Sequence, residues 1–200
     1  RPKKNHGHPR NPLENLRSND VPESKNKVVP LADKNAEKNA KTASKPAFTA
    51  KEIENMTGAE KIKAVDPSFD EKEFKQGAKQ AYMLYWQAIA EKDEETLENL
   101  ISPRLLNQTL ETIESLEEQQ KHRVTRIDAF DSIDIVDTRI SGRTALIDLK
   151  YTVTIAQADV KTDTTTTQAQ SKQIATVWTW ARNLADEDPN WELENITSVN

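Results

Sequence analysis

DPSFDEKEFKQGAKQAYMLYWQAIA, residues 66–90, is the stretch whose reading decides the fold. Asp70 stands where a helix N-cap belongs, and Glu73 lies three residues on, the spacing of a capping box. Phe69 before the cap and Phe74 at the fourth helical position match a hydrophobic staple. Apolar residues then recur at Phe74, Ala78, Ala81, Tyr85 and Ile89, with Tyr82 and Trp86 beside them, so the spacing predicts a long helix with one broad apolar stripe. Gly77 inside that helix costs about 1 kcal/mol against alanine and is read as a close approach of another backbone. Two readings of the stripe stay open: a core helix, or aromatic surface lining a pocket.

Downstream, Asp93 caps a short helix through Leu100, with Glu94 and Glu95 in its first turn. Ser102 caps a third helix with Pro103 at its first position, striped by Leu106, Leu110, Ile113 and Leu116. From there the pattern is strand only. Val124 to Ile140 is rich in branched residues, and Ser141-Gly142 signals a hairpin turn. Ala145, Ile147, Leu149, Tyr151, Val153 and Ile155 alternate strictly with polar residues, giving one dry and one wet face. Asp159 to Thr167 is a polar loop, Lys172 to Arg182 a strand with Trp178 and Trp180 on one side, Asp186 to Asn190 a turn, and Trp191 to Val199 the last strand. Three helices followed by a meander of four strands predict an α+β fold, a curved antiparallel sheet with helices on one face.

Upstream, Phe48 to Val65 predicts two short amphipathic helices, Ala50–Met56 and Gly58–Val65, started by the capping boxes Thr49/Glu52 and Thr57/Glu60 and ending before Asp66-Pro67. Lys51, Lys61 and Lys63 flank Ile53 and Ile62, a pattern for contact with an anionic membrane surface. Residues 1–47 lack periodicity and read as a disordered basic linker whose one apolar cluster is Val28-Val29-Pro30-Leu31. The domains are thus 1–47 linker, 48–65 amphipathic helices and 66–200 folded domain.

Charge is unevenly divided: residues 1–68 hold 14 basic and 9 acidic residues, whereas 69–200 hold 14 basic and 24 acidic. A basic arm on an acidic body suits a polyanion or membrane surface for the arm, while the body repels nucleic acid. The chain has no cysteine, which excludes disulfides, thiolate metal sites and a cysteine nucleophile. It begins at Arg rather than Met, so it reads either as a fragment or as a chain from which an upstream segment, a signal or a membrane anchor, was removed; with a membrane helix just upstream, Arg1, Lys3, Lys4 and Arg10 would lie on the cytoplasmic or matrix side.

Two sets of residues carry a resemblance. DPSFD with Phe74, Gly77-Ala78, Ala81-Tyr82 and AIAEKDEETLENLIS resembles the helical half of the Tim forty-four-like family, and VWTWARNL followed by DPNWELENI resembles its strand–turn–strand ending. The resemblance covers residues 48–200. It implies the cone of nuclear-transport-factor-two-like proteins, helices laid into a curved four-stranded sheet around a pocket. It further implies a non-catalytic, membrane-associated binding or scaffold module linked to protein transport. Its partners would be an anionic lipid such as cardiolipin and a protein complex of the inner membrane, with the domain peripheral or anchored on the cytoplasmic or matrix face. The long N-terminal chaperone-binding part of the mitochondrial members has no counterpart here, so the anchored bacterial type is the better match.

No metal or cofactor is expected. His122 is the domain's single histidine and stands at a helix end between Lys121 and Arg123, read as exposed. Asp128, Asp131, Asp134 and Asp137 recur every three residues, which strict strand alternation divides between both faces, unsuited to a metal cluster. Three glycosylation-type tripeptides, at Asn55, Asn107 and Asn195, are read as chance. The candidate site is aromatic: Tyr82, Trp86, Leu110, Tyr151, Trp178 and Trp180 line the cone, with Trp191 nearby. A small-molecule enzyme or ligand-binding protein using that cone, with Tyr82, Tyr85 or Tyr151 as its hydroxyl, is the alternative; a cone filled by its own side chains favours an assembly factor.

Overall fold

A computed structural model describes residues 47–199. The linker expected over residues 1–47 lies outside the described residues apart from Ala47.

Helix α1 (Ala50–Asn55) opens with the capping box read from sequence: the Thr49 side chain accepts the Glu52 N–H, and the Glu52 carboxylate accepts the Thr49 N–H. Helix α2 (Gly58–Val65) starts otherwise. Thr57 makes no side-chain capping bond; Gly58 forms the turn at φ 60°, a left-handed backbone that glycine adopts without Cβ strain. The expected second capping box is therefore corrected to a glycine turn.

Helix α3 (Glu71–Glu91) is the long helix of the opening stretch, with the Asp70 carboxylate accepting the Glu73 N–H at 2.8 Å. The staple forms, with Phe69 and Phe74 ring centroids 5.5 Å apart. Helix α4 (Glu94–Leu100) is capped by Asp93, and α5 (Pro103–Glu118) by Ser102 with proline at its start. Strands β1 (Lys121–Ser141), β2 (Thr144–Lys161), β3 (Lys172–Asn183) and β4 (Glu192–Ser198) form one antiparallel sheet in the order β1-β2-β3-β4. The α+β architecture is that read from the sequence. One boundary moves: Asp159 to Lys161 still pair with β1, so the polar loop starts later than expected.

Three bulges decide how β1 sits. Its pairing with β2 slips between Ile127 and Ala129, between Phe130 and Ser132, and between Ile135 and Asp137. Each slip adds a residue to one strand, bends it and resets the alternation. Ile127, Phe130, Ile133 and Ile135 consequently face Ile155, Val153, Tyr151 and Leu149, the buried row of β2. The four aspartates spaced every three residues are all exposed, which corrects their expected division between two faces.

The sheet's inner face covers α3, α4 and α5. Ala78, Ala81, Tyr82 and Tyr85 of α3 share one core with Leu149, Tyr151 and Val153 of β2, Trp178 and Trp180 of β3, and Leu193 of β4. Ser102 ties the α4–α5 junction to β4 by donating its N–H to the Leu193 carbonyl at 2.9 Å. A second, smaller cluster joins Ile62 of α2 to Phe69, Ala145 and Ile147.

Candidate functional site

The cone's interior is occupied by aromatic side chains because β2 and β3 turn every second residue inward and α3 presents Tyr82 to them. Tyr82 stacks on Trp178 with centroids 4.6 Å apart and lies 4.8 Å from Tyr151. Trp178 also meets Tyr85 at 5.2 Å, edge to face. Tyr82, Tyr151 and Trp178 are each 0% exposed. The Tyr151 hydroxyl donates to the Ala78 carbonyl of α3 at 2.9 Å, and Tyr85 shares a 3.4 Å contact with Thr109. Burial pushes the hydroxyls of Tyr82, Tyr85 and Tyr151 upward, so all three stay protonated at neutral pH.

The six residues expected to line a pocket are thereby distributed. Tyr82, Tyr151, Trp178 and Trp180 lie together in the core; Leu110 is half-buried on α5 against it. Trp86 sits at one mouth of the cone, beside Met83, His122 and Val124, where a hollow of about 380 Å³ opens between α3 and the start of β1. Its indole N–H is buried without a partner. His122 is half-buried at the start of β1, not at a helix end.

The larger opening lies at the other mouth, which the sequence did not single out. A cleft of about 620 Å³ runs between the segment Asp66–Phe74, the inner face of β3 and the turn Asp188–Trp191. Its apolar wall is a triad: Phe74 lies 5.2 Å and Phe69 6.1 Å from Trp191, both edge to face. Gly77 and Ala78, both buried on α3, form part of the floor. Asp66 and Arg182 form an ion pair at one side, mostly shielded from solvent. Asp70, Glu73 and Asp188 add carboxylates at the rim. Two donors here have no acceptor among the described residues: the Trp180 indole N–H and the Arg182 Nε–H. The staple phenylalanines and the tryptophan after the DPN turn were individually legible; their convergence depends on the β3–β4 turn folding back over α3.

The membrane-facing residues expected in α1 and α2 also separate. Ile62 is 0% exposed and packs against Phe69, Ala145 and Ile147, which corrects its expected insertion into lipid: it is a core residue. Lys51 and Lys63 are exposed, while Lys61 and Ile53 are half-exposed. Since Ile62 points inward, Lys61 and Lys63 flank the buried stripe of α2 on either side.

The sheet's outer face is polar. Arg139 grips Asp148 with two bonds of 2.7 and 3.1 Å, and Thr179 donates to the same carboxylate at 2.7 Å. Burial works against the ionised form of Asp148, but the bonds from Arg139 and Thr179 prevail and hold its carboxyl below the usual range. Among the described residues no group of three or more His, Asp or Glu side chains is arranged to hold a metal ion, and no helix is long and apolar enough to cross a membrane.

Comparison with curated proteins finds no match. The family described as the Tim44-like domain matches residues 56–198, from the end of α1 through β4. That span takes in both the helical half and the strand–turn–strand ending that build the cone and its cleft, and the chain belongs to the Tim44-like domain family.

Proposed function

We propose that this chain is a non-catalytic binding module that works at a membrane surface, in the setting of protein transport that its family suggests. The observation that carries the reading is the filled cone. Stacked rings occupy the space where an enzyme on this scaffold would need a wet pocket, and the buried tyrosine hydroxyls stay protonated, far from the poise of a general base. Recognition then falls to the surfaces outside the cone: the cleft at one mouth and the helices α1 and α2.

The membrane contact is electrostatic. Lys51, Lys61 and Lys63 each contribute about 1 kcal/mol near an anionic leaflet, helped by the half-exposed Ile53. Ile62 takes no part. The acidic body opposes the contact, so binding is modest and disappears in high salt, where the Debye length shrinks to about 3 Å at 1 M. Co-sedimentation of the chain with vesicles tests this. Binding to cardiolipin-containing vesicles that exceeds binding to neutral ones, and that falls when the three lysines become Glu, supports the reading; equal binding on both vesicle types sinks it.

A further inference from the structure

We infer that the cleft between α3 and the β3–β4 turn binds an aliphatic polyamine, a chain of methylenes carrying ammonium groups, of which spermidine is an example. The inference goes beyond the membrane contact of α1 and α2 and holds whether or not that contact forms.

The cleft keeps charge and apolar surface apart. Asp70 and Glu73 stand on one wall, at the start of α3, and Asp188 on the other, in the turn before β4. All three are exposed, and none is ion-paired among the described residues. Asp70 accepts the Glu73 N–H and Asp188 the Asn190 N–H, so each carboxylate keeps lone pairs free for a further donor. The cation of the lining, Arg182, is already matched by Asp66. The cleft therefore repels an anion and draws in a cation, and the acidic body adds its field.

Aromatic rings join the two walls. Phe74 and Trp191, both half-buried, meet edge to face with centroids 5.2 Å apart, and Phe69 packs against both. Methylenes leave water favourably on such a surface, and an ammonium within about 6 Å of a ring centroid is attracted by the ring's quadrupole. The floor of Gly77, Ala78 and Ala81 offers no polar side chain.

A ligand for this surface carries charge at spaced points and nothing polar between them. A polyamine does so: its ammonium groups meet Asp188 on one side and Asp70 and Glu73 on the other, and its methylenes cover Phe74 and Trp191. A peptide fits less well. Its N–H and C=O groups would lie over a floor without polar side chains. Strand β3 is paired on both sides, so it has no free edge on which a peptide strand could add. The volume, about 620 Å³, is that of a small-molecule site.

Isothermal titration of the full chain with spermidine at physiological salt tests this. Saturable, one-to-one binding is expected, and E73Q with D188N weakens it about tenfold. Both positions are exposed, and Asp70 is left in place because it caps α3. E98Q with E111Q removes the same charge from exposed positions on α4 and α5 outside the cleft, and leaves the affinity within about twofold. Equal losses in the two double variants overturn the inference, since attraction to the acidic body at large then accounts for binding. Hexaamminecobalt carries the same charge as spermidine without methylenes; if it binds as tightly, the rings take no part and the inference falls. Trilysine that binds more tightly than spermidine also overturns it, by making a peptide the occupant. So does the absence of saturable spermidine binding.

Discussion

The Tyr151 hydroxyl of β2 donates to the Ala78 carbonyl in the middle of α3, a helix carbonyl 2.9 Å away across the core. This bond fixes the height of the long helix over the sheet, one residue from Gly77 in the cleft floor. The helix interior already supplies Ala78 with a partner, so the loss of the phenol leaves no buried acceptor orphaned. Y151F is expected to lose only about 1 kcal/mol in urea unfolding. A loss above about 3 kcal/mol would show that the hydroxyl supports more than this single bond.

Trp178 is fully buried against Tyr82, Tyr85 and Tyr151. W178A is expected to cost about 3–5 kcal/mol, since the surrounding rings cannot collapse into the space. Thermal or denaturant unfolding reads this directly, and a cost below about 1 kcal/mol would contradict a filled cone.

Asp66, which caps the end of α2, pairs with Arg182 of β3 at one side of the cleft. Each single change to alanine leaves the other charge mostly shielded and unpaired, so the double variant D66A/R182A costs less than the sum of the two single changes. A double-mutant cycle is expected to give a coupling of about 1–3 kcal/mol. Additive effects would place the pair in the class of weak surface contacts.

Asp148 gives a pH prediction. Its folded carboxyl titrates below the ordinary value of 3.8 because the bonds from Arg139 and Thr179 outweigh the opposing burial. The unfolded state therefore binds the proton first, and the stabilisation is complete above pH 3.8 and lost as pH falls through the lower folded value. D148N should be about 1 kcal/mol less stable than the parent at pH 7, with the gap closing only as pH falls below 3.8. Acid unfolding of both proteins checks it; a gap that persists undiminished at pH 2 would rule out the carboxylate as its source.

Much of the fold was legible because local rules and global packing agree. The caps at Thr49, Asp70, Asp93 and Ser102 mark helix starts where the structure has them, and the alternation from Ala145 to Ile155 names the buried face of β2 residue by residue. Strand β1 resisted such reading, since its inward residues Ile127, Phe130 and Ile133 are three apart and strict alternation assigns them to opposite faces. Bulges leave no composition signal of their own. Thr57 resisted for a smaller reason: the spacing to Glu60 is right, but Gly58 takes a left-handed turn that carries the side chain away from the backbone it would cap. Ile62 looked available for lipid because helical periodicity shows which residues share a face, not what covers that face. The cleft brings residues from 66–74 against residues from 180–191, a convergence that follows from tertiary closure alone.

The bulges of β1 have a consequence at the other rim of that strand. β1 is an edge of the sheet, 21 residues long, and a flat edge of that length is a template on which a foreign strand or a second copy can add by backbone pairing. Two of the three slips fall at aspartates, Asp128 and Asp131, and the third at Val136 beside Asp137. Each interrupts the row of outward donors and acceptors and sets a carboxylate at or beside the break. The same irregularities that wrap the sheet around its helices thus deny the edge to other chains, and they guard a long edge strand against aggregation.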